Sequence, residues 1–294
     1  MESSVQMKKT KRHANGKSKK GKMRYGQLII LAVLLLGSVT MIVPLLWMVM
    51  TSFDWGARLN IPFPPRIWPE IPSLRTYELA FTNIPLLRYM FNSFVVSGGV
   101  ILVSLISSLL SGYAISQLKF KGSNFVLVVS LCTMMIPFEM TMIPQYLMFG
   151  QLHLLDTYWS FFLPALNYAF GTFLAKTYFD KIPGSLREAA RIDGASELTI
   201  FIRIFLPLCI PIIATLTILQ FLSVWNDLLW PLLALKSPDN YTIQLGLAMF
   251  SYNKSMPLPS IIMAATTVSI LPVVIIYMFL QRYIIDSIAS SGMK

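Results

Sequence analysis

Charge is scarce in this chain. Only 13% of its 294 residues are Asp, Glu, Lys or Arg, about half the share of a soluble globular domain. So little charge cannot clothe a water-facing surface of this size, which excludes an ordinary soluble enzyme, a disordered chain and a nucleic-acid-binding domain. Cysteine is nearly absent. Cys132 and Cys209 both lie inside apolar runs, so neither a disulfide framework nor a thiolate metal site is expected. The two histidines, His13 and His153, have no Cys, Asp or Glu cluster at ligand spacing, and no metal site is assigned. Gly-x-Ser-x-Gly and His-Glu-x-x-His runs are missing, so no catalytic residue is singled out. Gly16-Lys17-Ser18 ends like a phosphate-binding loop. Lys11 stands where the first glycine belongs and no apolar strand precedes it, so the chain is expected to hold no nucleotide itself. Internal repeats are also lacking, which weighs against a carrier built from two inverted halves.

Apolar residues make up 55% of the chain and the mean hydropathy is +0.64. They gather in six long runs, at about 25–53, 89–118, 123–149, 157–175, 204–226 and 255–281. A bilayer takes roughly 20 apolar residues per helix, and an unpaired backbone amide is too costly in lipid for anything but helices or a closed barrel. The predicted class is all-α, a multi-pass membrane protein with six transmembrane helices. The first run is too long for a signal peptide and lacks a small-x-small cleavage site, so it reads as a retained anchor.

Residues 1–26 hold nine Lys/Arg against one acid, and the rest of the chain is almost neutral. With both termini inside, the inner segments carry 18 Lys/Arg and the outer loops six, the asymmetry that sets orientation. The domain plan is thus a basic cytoplasmic tail, 1–24, and a transmembrane domain, 25–294. The tail fixes orientation and touches anionic lipid; nucleic acid is not expected as a partner.

Ser104, Ser108 and Gly112 recur every four residues in the second run, a small-residue face for close helix contact. Pro44, Pro137, Pro144, Pro164, Pro207, Pro211 and Pro272 interrupt the other runs and either kink them or line a pathway. Glu139 is the one acid well inside a run. It lines a solute path, pairs with a partner, or sits in the kink made by Pro137. Asn226 and Asp227 end the fifth run, where they cap the boundary or face a cavity.

The longest inner connection, 176–207, carries the most information. Pro183-Gly184 opens it, and Ser185 with Glu188 has the spacing of a capping box. Gly194 suits a left-handed helix terminator, and Ser196 suits the cap of the next helix. Ala189, Ala190, Gly194 and Ala195 leave little relief, so another backbone can approach.

At these residues the chain resembles the binding-protein-dependent ABC importer permeases. Glu188-Ala189-Ala190, Gly194 at the seventh position, Ile204 at the seventeenth and Leu206-Pro207 at the nineteenth and twentieth match the family's "EAA" loop. The Ala190-Arg191-Ile192-Asp193-Gly194-Ala195 variant is similar to the carbohydrate branch, that of the maltose-transporter permease. The resemblance implies a type I importer permease fold, a place in a bacterial inner membrane and a heterodimer with a second permease. It also implies two ATPase subunits that use ATP and Mg, and an extracytoplasmic solute-binding protein that delivers a sugar. It casts Glu188, Ala189, Ala190, Asp193, Gly194, Ala195 and Pro207 as the ATPase-coupling segment. It further implies that the outer loop at 228–259, with Tyr241, Phe250 and Tyr252, meets the binding protein; read without the family, those aromatics are an interfacial belt. Two other readings stand beside this one. One is an importer for another solute class. The other is a self-contained secondary transporter with Glu139 as its coupling carboxylate, which would need no ATPase-docking loop.

Overall fold

In a computed structural model, residues 25–252 and 258–291 are described. The basic tail 1–24 lies outside them. The chain divides after Leu46 into two units. The first contributes most of α1 (Tyr25–Ser52), a helix whose 28 residues are long and apolar enough to cross a bilayer.

The second unit begins at Trp47. An ordered segment with α2 (Arg75–Asn83) leads into α3 (Leu86–Tyr113), which a π-turn extends to Leu118. Buried Asp54 organises that segment by accepting the amides of Gly56 (2.9 Å) and Ile71 (3.2 Å). Next come α4 (Ser123–Thr133), α5 (Phe138–Gln151), the single turn α6 (Trp159–Phe162) and α7 (Ala169–Phe179). The inner connection supplies α8 (Ser185–Ile192), α9 (Glu197–Ile200) and the short α10 (Leu206–Leu208). The chain closes with α11 (Ile210–Trp225), α12 (Leu229–Ala234), α13 (Ile243–Tyr252) and α14 (Pro259–Ser291).

The spans are less regular than hydropathy suggests. Three helices cross uninterrupted by length and composition: Tyr25–Ser52, Leu86–Leu118 and Pro259–Phe279. The third run bends by 96° between α4 and α5, and the fifth by 77° around Cys209. Counting each bent pair once gives five. The predicted fourth span, 157–175, is two short helices parted by Pro164 and the non-helical Asn167 and Tyr168. Proline explains the breaks. Pro137 donates no amide and holds an extended ψ of 141° at the start of α5, and Pro211 opens α11. A six-crossing plan is compatible with this arrangement. The outer loop at 228–259 is also more structured than expected, since it contains α12 and the apolar α13.

The small-residue face of α3 makes the expected close contact. Ser104 and Ser108 are buried, and the Ser108 hydroxyl donates to the Tyr168 carbonyl (3.4 Å). A Cβ on Gly112 would lie 2.7 Å from that of Ala175 and 2.8 Å from the Lys176 amide nitrogen. Only glycine lets α3 and α7 approach so closely. Around α3 lie three apolar cores. One, with Tyr113, Phe179, Phe201 and Phe205, is at the end that carries α8 and α9. The others, around Trp225 and Trp230, are toward the opposite end.

Candidate functional site

The inner connection forms a small, firmly held structure. α8 ends where Gly194 takes φ +80°, and the Ala195 amide closes the turn on the Ala190 carbonyl (3.0 Å). Ser196 then caps α9, its hydroxyl oxygen accepting the Thr199 amide (3.3 Å). The Ser185–Glu188 capping box does not form. Gly184 is the cap residue with no side-chain bond, and Ser185 is already inside the helix, because the turn at Pro183-Gly184 starts α8 one residue early.

Glu188, Ala189, Asp193 and Gly194 are all exposed, while Ala190 and Ala195 turn inward against the Tyr113 core. The structure thus splits the small residues into one outward alanine and two packed ones. Among the described residues no hydrogen bond or ion pair engages the Glu188 side chain, leaving it free to meet a partner. Beside this face stand two apolar side chains that sequence reasoning did not select, Ile192 (86% exposed) and Leu198 (62%). Pro207 is exposed within α10, just before the 77° bend.

Sequence reasoning also missed what anchors the loop. Arg187 grips Glu197 with two bonds, Nη2 to Oε1 (2.6 Å) and Nε to Oε2 (3.1 Å). The Tyr113 hydroxyl donates to the same Oε2 (3.0 Å), and Arg187 Nη1 donates to the Gln117 carbonyl (3.1 Å). Gln117 in turn donates to the Phe179 carbonyl (2.9 Å), and Ser116 donates to Asp180 (2.6 Å). One polar network therefore ties α8 and α9 to the ends of both α3 and α7. Bidentate Arg–carboxylate pairs fix orientation as well as distance, so the exposed face is rigidly joined to the spanning helices.

A cavity of about 410 Å³ opens among α5, α6, α11 and α12. Its polar lining includes Gln145, Ser160, Asn167, Gln220, Ser223 and Asp227, and Phe138, Tyr168 and Trp230 add aromatic surface. The breaks in the spans create it, because Asn167 and Tyr168 are outside any helix. Trp230 is buried and held by its Nε1 donating to the Ser160 carbonyl (3.0 Å). Asp227 accepts the Trp230 amide (3.4 Å). Of the three candidate pathway residues, only Asp227 lines the cavity. Asn226 spends its amide on the Leu222 carbonyl (2.8 Å). Glu139 lies exposed in the first turn of α5, next to the lining residue Phe138, where a carboxylate suits the helix N-terminus.

The three candidate aromatics of the outer loop are separated. Tyr241 packs between the two outer cores and Phe250 against one of them, whereas Tyr252 is 80% exposed. Asp156 organises the neighbouring turn. Its carboxylate takes the Lys236 and Ser237 amides (3.0 and 3.1 Å), the Ser237 hydroxyl and the Asn240 amide (3.2 Å). Burial pushes this carboxyl up, but these bonds outweigh it and hold the pKa down at about 2. Asn240, in a glycosylation-type triplet, is thereby engaged with Asp156.

Comparison with known proteins agrees with this architecture. The family described as "binding-protein-dependent transport system inner membrane component" matches residues 104–290. The arabinooligosaccharides transport system permease protein of Halalkalibacterium halodurans is 36% identical over 255 residues, covering 85% of this chain and 90% of the relative. Its Bacillus subtilis counterpart is 33% identical over 229 residues, covering 77% and 80%. A chain from a solved bacterial ABC transporter involved in import of the acidic polysaccharide alginate superposes with TM-score 0.77 at 25% identity, covering 90% of this chain and 99% of that one. The chain therefore belongs to the binding-protein-dependent inner-membrane permeases of ABC importers, a transport component and not an enzyme.

Proposed function

We propose that this chain is one of two permease subunits of an importer for a sugar or oligosaccharide. In this reading a second permease completes the pathway, two cytoplasmic ATPase subunits use ATP and Mg to drive it, and an extracytoplasmic binding protein delivers the solute. The observation that carries it is the α8–Gly194 face. Glu188, Ala189, Asp193 and Gly194 are exposed and unobstructed, and their backing is pinned to α3 and α7. An ATPase seated there moves the spanning helices with it, because the Arg187–Glu197 pair is bonded to Tyr113 and to the Gln117 carbonyl at the end of α3. ATP closure brings two such faces together and turns the cavity outward; hydrolysis resets it. This is a two-state element biased by nucleotide on one side and solute on the other. The sugar assignment is supported by the relatives' named solutes and by the cavity, which offers hydrogen-bonding groups beside aromatic surface. Tyr252 is the exposed aromatic through which the outer loop would meet the binding protein.

Purification from the native membrane in mild detergent tests this. An ATPase, a second permease and a binding protein are expected to co-purify. A chain that repeatedly emerges with no ATPase, across several detergents, would overturn the proposal in favour of a self-contained carrier.

A further inference from the structure

We infer that the solute is an uncharged sugar and that Asp227 excludes acidic ones; this rests on the sugar-importer reading above. Permeases of this fold serve solutes of both kinds, since one relative is named for arabinooligosaccharides and a structural neighbour for an acidic polysaccharide. The cavity's charge separates the two classes. Every lining residue comes from one of three stretches, 89–118, 122–175 or 204–235. None of the three contains a single Lys or Arg. Among the described residues, the one carboxyl in the lining is Asp227.

A carboxylate, sulfonate or phosphate on the solute needs a cationic or dense amide partner once water is stripped away. This chain's share of the lining offers it no cation and confronts it with a like charge. Hydroxyl groups meet the opposite situation. Gln145, Asn167 and Gln220 each both donate and accept, and Asp227 is an acceptor for the two hydroxyls of a vicinal diol. The same carboxylate thus attracts neutral sugars and repels acidic ones, which is how specificity is built against a competitor as well as for a ligand.

The test uses the complete permease–ATPase assembly in lipid nanodiscs, without the binding protein, whose own selectivity would mask that of the cavity. Binding of arabinotriose and of trigalacturonate is followed by saturation-transfer NMR, in the wild type and in Asp227→Asn. The neutral trisaccharide is expected to bind at least about tenfold more tightly than the uronate. Asp227→Asn is expected to cut that preference to a few-fold, by weakening the neutral ligand and relieving the acidic one. A ratio within one sample does not depend on the fraction of folded protein. Equal or tighter uronate binding in the wild type would overturn the inference, as would a preference unchanged in Asp227→Asn, and in both cases the sugar-importer reading survives. If neither trisaccharide binds, the sugar reading falls and this inference falls with it.

Discussion

Gly194 holds the end of α8 with a φ of +80°, a conformation that costs a residue with a Cβ about 1–2 kcal/mol. A Cβ there would meet nothing within 4 Å, so the constraint is the backbone turn and whatever docks on it. Gly194→Asp is expected to leave the chain inserted at normal abundance while ATP-driven uptake falls to background. Uptake at the wild-type rate would show that nothing docks on this turn. Asp156 makes a different prediction. Its folded pKa of about 2 lies below the ordinary aspartate value, so it contributes stability above about pH 4, and that contribution is lost as pH falls toward 2. Asp156→Ala is expected to cost about 2 kcal/mol, the worth of its charge-assisted bonds. The variant should also show a flatter acid limb in unfolding monitored between pH 5 and 2; an acid limb as steep as the wild type's would refute the assignment. Gly194 was legible in the sequence because a left-handed glycine after a helix is a local signal. Asp156 was not, because its partners lie some 80 positions away.

At the scale of elements, one charged pair locks α8 to α9, and its bonds to Tyr113 and the Gln117 carbonyl join the loop to the bundle. Arg187 and Glu197 are ten residues apart, a spacing that no helical rule pairs, and Tyr113 is 84 positions from Glu197. Composition and periodicity could not select them. Glu197→Gln leaves the largely buried Arg187 facing a neutral amide, at a cost of about 2 kcal/mol. Hydrogen exchange followed by mass spectrometry should then quicken across amides 186–200 and stay unchanged across the α3 core; unaltered protection in 186–200 would show that the pair does not hold the loop. The close packing of α3 on α7 was legible, because Ser104, Ser108 and Gly112 fall on one helical face. The depth of the breaks at Pro137 and Cys209, and of the gap at Asn167–Tyr168, was not. Hydropathy averages over a window, whereas a bend needs only one missing amide and a neighbour to cover the freed carbonyl.

Across the whole molecule, the 18:6 distribution of basic residues puts the α8 face inside and the 54–88 segment outside. Single-cysteine variants in a background lacking Cys132 and Cys209 check this, with exposed Trp68 and Ile192 as reporters. A membrane-impermeant maleimide should label Trp68→Cys in intact cells, and Ile192→Cys only after permeabilisation; the reverse pattern would invert the topology. Sequence alone determined the membrane class, the expected sidedness and the position of the loop proposed to meet an ATPase. Each follows from properties summed along the chain or from a motif within twenty residues: apolar length against bilayer thickness, positive charge against the inner surface, and the Glu188–Pro207 spacing. Only the tertiary structure decided that three spans are uninterrupted helices, that the third and fifth runs are sharply bent and that the fourth is broken. It alone decided that Arg187, Glu197 and Tyr113 weld the loop to the bundle, and that, among the described residues, Asp227 and not Glu139 or Asn226 lines the cavity. These depend on residues far apart in sequence meeting at a few ångströms, which neither periodicity nor composition encodes.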